Sequence, residues 1–143
     1  METNELVQRV REIAREVYEE LGGGFDESIY RDAMMIELKE EGIPCVRERN
    51  IDLYYKEHLL GQGRIDLLVG DEEKVVVELK TKGSLSARDK NQLRTYLNSS
   101  ELDSSIPDIN CGVLINFQRF DEEDIEYDFE DECEEPEIVR MEE

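Results

Sequence analysis

The chain has 143 residues, 38% apolar and 38% charged, which fits one soluble domain with a buried core. Its apolar runs fall well short of the roughly 18 to 20 residues of a membrane-spanning helix. Its acidic start (Met1-Glu2-Thr3-Asn4-Glu5) is not that of a signal peptide, so a cytoplasmic protein away from membranes is expected. The net charge of −21 argues against a general polyanion binder, yet it is unevenly spread. Residues 121–143 carry 14 acids against Arg140 alone, whereas residues 79–100 carry Lys80, Lys82, Arg88, Lys90 and Arg94 against only Asp89.

In chain order, Leu6, Val7, Val10, Ile13, Ala14, Val17, Tyr18 and Leu21 recur at three- and four-residue steps and predict an amphipathic helix over 4–21. Thr3 or Asn4 can cap its start, and Gly22-Gly23-Gly24 ends it. A second helix is expected from Asp26 to about Glu41, capped by Asp26 and stopped by Gly42, with Ile29, Tyr30, Ala33, Met34 and Leu38 on its apolar face. Strands follow at about 45–55, 58–69 and 74–81, the first two joined by a turn at Lys56-Glu57. Ser84 to Leu97 reads as a third helix, burying Leu85, Leu93, Tyr96 and Leu97, and residues 111–117 as an apolar strand. This order predicts an α/β architecture bordering on α+β, a mixed sheet flanked by helices. Residues 1–120 form the expected domain. Residues 121–143 form an acidic tail, with an edge strand suggested by the alternation of Ile125, Tyr127 and Phe129 and a disordered end beyond Glu130. Cys45, Cys111 and Cys133 lack metal-ligand spacing and read as reduced thiols. The lone His58, beside the hairpin turn, reads as a surface residue and excludes hydrolysis by a histidine pair.

The most informative pattern is Asp66 on one strand and Glu78-Leu79-Lys80 on the next. Strand side chains alternate, so Val76, Glu78 and Lys80 share one face and Val75, Val77 and Leu79 the other. A run this apolar is expected to be buried on both faces, where a Glu and a Lys are costly unless paired or bound to metal. Two carboxylates on adjacent strands with an ammonium beside them can hold a divalent cation and still present positive charge to a phosphate. An ordinary same-face ion pair is the plainer alternative.

These residues resemble the PD-(D/E)XK nuclease superfamily, with Ile65 where the pattern usually has proline. Glu20-Leu21-Gly22-Gly23-Gly24-Phe25-Asp26-Glu27-Ser28-Ile29-Tyr30 resembles the signature of its GxxExxxxR branch, in which Gly24 and Glu27 match. The terminal Arg of that signature would fall at Asp32, and Arg31 lies one position early. Gly61-Gln62-Gly63-Arg64-Ile65-Asp66 and Leu114-Ile115-Asn116-Phe117 also resemble this branch, and the likeness spans about residues 4–118. Gln92 and Tyr96, four apart on one helical face, look like the Gln-x-x-x-Tyr motif of RecB-type members. Three cysteines cannot supply the four-cysteine iron–sulfur cluster that some of those carry.

The resemblance implies a restriction-endonuclease-like fold and a DNA-cutting enzyme using Mg²⁺ or Mn²⁺. Asp66, Glu78, the Leu79 carbonyl and Glu27 would be metal ligands, and Lys80, Glu27, Gln92 and Tyr96 catalytic. Lys82, Arg88, Lys90 and Arg94 would contact the nucleic acid. Glu27 has a plainer role in favouring a helix N-terminus, and Gln92 and Tyr96 one in packing. A nuclease-fold module that binds nucleic acid or protein without cutting is the alternative. Cutting both strands of a duplex would favour a homodimer, and the acidic tail would suit a basic protein partner.

Overall fold

The structure, a computed structural model, describes residues 1–103, 109, 111–118 and 136–142. The elements are α1 (Thr3–Leu21), α2 (Glu27–Glu40), β1 (Cys45–Tyr55), β2 (His58–Gly70), β3 (Lys74–Lys80), α3 (Ala87–Ser100), β4 (Cys111–Asn116) and β5 (Glu137–Glu142). One sheet runs in the order β1-β2-β3-β4-β5, antiparallel except where α3 carries the chain over to make β3 and β4 parallel. The expected mixed sheet flanked by helices is the fold observed.

Each sheet face has its own core. The periodic apolar stripe of α1 and Tyr30, Met34 and Leu38 of α2 pack with Val75, Val77, Leu79, Val113 and Ile115. On the opposite face Leu93, Tyr96 and Leu97 of α3 pack with Val76, Leu114, Ile51 and Ile65. The alternation read along β3 therefore divides the two helical layers. At one end of the first layer the Tyr30 and Phe117 rings stack with centroids 4.2 Å apart, and the Tyr30 hydroxyl donates to the Gly22 carbonyl at 2.6 Å. Among the described residues no helix is long and apolar enough to cross a membrane.

Helix starts depart from the expectation. Glu2, rather than Thr3 or Asn4, occupies the capping position of α1; Asp26 occupies that of α2 as expected, but neither side chain caps a backbone amide. The third helix begins at Ala87, three residues later than expected. Ser86 and Asp89 form a reciprocal capping box there, and this satisfies the free amides that define a helix start. The β1–β2 turn falls where expected, with Lys56 and Glu57 both at positive φ (48° and 69°), as a two-residue hairpin requires.

The end of the chain corrects the sequence reading. Residues 137–142, expected to be disordered, form β5, the edge strand against β4. Ile138 packs on the first core and Val139 and Met141 on the second, so apolar burial on both faces outweighs the surrounding charge. The edge strand suggested at 125–129 lies outside the described residues, as does Cys133.

Candidate active site

The β2–β3 backbone ladder runs from Gly70↔Lys74 to Leu67↔Val77 and stops one residue short of Asp66. Side chains then replace it. The Asp66 amide donates to Glu78 Oε1 at 3.0 Å, and the Leu79 amide donates to Asp66 Oδ2 at 2.8 Å. Beyond this point β2 stays paired with β1 through Arg64↔Asn50, and β3 stays paired with β4 through Lys80↔Asn116. The sheet forks, and the two carboxylates bridge the crotch of the fork.

Glu78 is only 3% exposed. Burial, and then the neighbouring Asp66 charge, push its carboxyl up to about 9, while Asp66's amide and Lys80 pull the other way. Lys80, half-buried on the same face, donates from Nζ to Gln92 Oε1 at 3.1 Å. Gln92 Nε2 in turn donates to the Tyr96 hydroxyl at 3.2 Å. That hydroxyl also bonds the Arg64 backbone, while burial and the Glu78 charge raise its pKa. The Tyr96 ring fits because residue 63 is glycine: a Cβ there would lie 2.6 Å from Tyr96 Cε1.

The loop after β3 is held from several sides. The buried Asn116 side chain accepts from the Lys82 amide and donates to the Lys82 carbonyl, each at 3.0 Å. The Phe117 amide donates to the Lys80 carbonyl at 2.9 Å. Lys82 Nζ lies 3.0 and 2.9 Å from the two Asp89 carboxylate oxygens. Burial opposes the Asp89 charge, yet the bonds from Lys82 and Ser86 hold its pKa at about 2.

Lys80, Lys82, Arg88, Asp89, Asn91, Gln92 and Thr95 line a cleft of about 500 Å³, three bases against one acid. Of the four basic residues expected at a nucleic-acid surface, Lys82 and Arg88 therefore face it. Lys90 and Arg94, exposed on another flank of α3, do not line it. Glu27 is exposed at the start of α2, one turn before the Tyr30 that stacks on Phe117, and so at the Lys80 end of the sheet. Among the described residues no three His, Cys, Asp or Glu side chains gather closely enough to hold a metal. The Asp66–Glu78 pair nonetheless has the donor chemistry a hard divalent cation accepts: two carboxyl groups set side by side, with burial disfavouring the charge of Glu78.

Sequence reading missed Asn116, Asp89 and Gly63 as supports of this site. The Ser86-x-x-Asp89 spacing was a visible capping signal, whereas the close approach at Gly63 depends on a distant helix.

A forked mixed sheet between helical layers, with Asp66 on one arm and Glu78 and Lys80 on the other, defines a restriction-endonuclease-like fold. A family model described as the PD-(D/E)XK nuclease superfamily matches residues 4–127, and the chain belongs to that superfamily. A crystal structure of the protein SSO0001 is similar, with a TM-score of 0.52 and 16% identity over 82% of this chain, a likeness of fold alone. The chain spans 50% of that protein's length. No curated protein matches.

Proposed function

We propose that this protein is a metal-dependent nuclease that hydrolyses phosphodiester bonds in DNA, and that it belongs to the GxxExxxxR branch of its superfamily. The observation that carries the reading is the bridged Asp66–Glu78 pair with Lys80 beside it on the wall of a basic cleft. Gly24 and Glu27 support the branch.

Asp66, Glu78 and the Leu79 carbonyl would hold Mg²⁺ or Mn²⁺, with Glu27 as a further carboxylate. The bound ion would polarise the scissile phosphate and acidify water. Lys80 would stabilise negative charge growing on the phosphoryl oxygens. Its Nζ is aimed by the bond it donates to Gln92 Oε1, and a positioned charge suits an electrostatic role better than that of a base. Gln92 fixes the Lys80 ammonium, and Tyr96 fixes Gln92. Lys82 and Arg88 would attract the phosphate backbone into the cleft.

The test is incubation of purified protein with single-stranded, duplex and branched DNA in Mg²⁺ or Mn²⁺, beside a Lys80→Ala control. DNA left uncut, or a variant as active as wild type, would sink the proposal. The absence of a three-ligand cluster among the described residues favours one other reading, a catalytically silent module that binds nucleic acid or protein. Calorimetry detecting no divalent metal bound at millimolar concentration would favour that reading.

A further inference from the structure

Among the described residues three non-glycines have a positive φ, and the hairpin turn accounts for Lys56 and Glu57. The third, Glu48 at φ 53°, lies within β1, where no turn asks for a left-handed backbone. Its position matters. The β1–β2 register runs Arg47↔Leu67 and Arg49↔Ile65, which sets Glu48 across from Asp66. Between Cys45 and Leu53 only this pair drops out of the ladder.

Both strands change face at the same level. Leu67 and Val69 pack with the α1–α2 core, but Ile65, two residues earlier on β2, packs with α3. On β1, Cys45 borders the first core, whereas Ile51 and Leu53 join the second. Residues two apart on a regular strand share a face, so the ribbon rolls over at Glu48 and Asp66. This roll frees the Asp66 amide from β1 and lets it reach Glu78 across the fork.

The break in the ladder is tied to α2. Arg31 Nη1 lies 2.8 Å from Glu48 Oε1, and the Arg31 side chain is only 15% exposed. Asp32, at the position where the branch signature has Arg, accepts from both Arg31 and Arg47 at 3.3 Å. Helix α2 thus holds both Arg47 and Glu48, just where β1 leaves regular pairing.

We infer that the Arg31–Glu48 pair is a positioning device that fixes the left-handed backbone at Glu48 and thereby aims Asp66 at the fork. The inference rests on the reading of Asp66 as a metal ligand, but its principal test needs no metal. Amide hydrogen exchange on the metal-free, full-length protein is measured by NMR for wild type, Arg31→Ala, Arg31→Lys and Glu48→Gly. Glycine adopts φ 53° without steric penalty, so Glu48→Gly removes the carboxylate without straining the left-handed backbone.

Arg31→Ala and Glu48→Gly are expected to speed exchange at the Asp66 and Leu79 amides selectively, leaving Val76 and Val77 protected, while Arg31→Lys restores most of the protection. Mn²⁺ affinity by calorimetry is expected to fall about tenfold in Arg31→Ala, as when a group orienting a ligand is lost. Unchanged exchange at Asp66 and Leu79, or a uniform loss across the sheet, would overturn the inference. Wild-type protein that binds no metal would overturn the nuclease reading, and the exchange pattern would still decide the positioning role.

Discussion

The Asp66 amide meets Glu78 Oε1 at 3.0 Å where the next rung of the β2–β3 ladder would fall. A side chain therefore does the work of a main-chain carbonyl at the point where two strands part. Each carboxylate accepts an amide from the opposite strand, so the pair closes the gap in both directions.

Stability of the metal-free protein should depend on pH through Glu78. Its folded-state pKa is raised from 4.5 to about 9, so between those limits the native state keeps a proton that the unfolded chain has released. This contribution is fully present below the lower limit, declines as pH rises through the window and is lost above the upper one. Urea midpoints taken from about pH 5 to about pH 9 should fall more steeply for wild type than for Glu78→Gln. Parallel slopes would show that Glu78 does not hold its proton in the native state.

Lys80→Ala should lower single-turnover DNA cleavage by about a hundredfold or more while leaving metal affinity intact. Lys80→Arg separates the two roles open to this residue. Arginine keeps the charge but cannot lose a proton, so partial activity supports electrostatic stabilisation and complete loss points to a base.

Gly63→Ala should press a methyl group into the Tyr96 ring, which Gln92 and the Arg64 backbone hold in place. We expect a loss of about 1–3 kcal/mol in urea unfolding, together with weakened cleavage as the Lys80–Gln92–Tyr96 chain shifts. A variant as stable and active as wild type would mean that Tyr96 moves aside without consequence.

Removing residues 136–143 should destabilise the whole sheet. It exposes the β4 edge and strips away Ile138, Val139 and Met141. It also removes Glu137, whose carboxylate accepts from the Leu85 amide and from Asn116. A fall of about 2 kcal/mol or more is expected from the apolar area lost, and a truncated chain that unfolds at the wild-type midpoint would contradict it.

Much of this was legible because it is periodic. The alternation of Val75 to Lys80 assigned each side chain of β3 to its correct face, and the four-residue step from Gln92 to Tyr96 put both on one side of α3. What escaped was not local. In β5 three apolar residues stand within a strongly acidic stretch, and average charge concealed them. The fork depends on a rung that fails to form, which no pattern in β2 or β3 announces. Nor does Glu48 advertise a left-handed backbone, for neither glycine nor asparagine occupies the position.

The β1–β2 hairpin is fastened to the rest of the sheet by four backbone pairs, Leu67↔Val77 to Gly70↔Lys74, and then by the carboxylate bridge. Past that bridge roughly 30 Å of ribbon continues to the turn at Lys56-Glu57. It rests on α3 through Ile51 and Leu53 and ends with Tyr55, Leu59 and Leu60 exposed. Mechanically it is an arm whose pivot is Asp66. A load taken up at the tip would pass through the contacts with α3 and arrive at the residue we read as the centre of the chemistry.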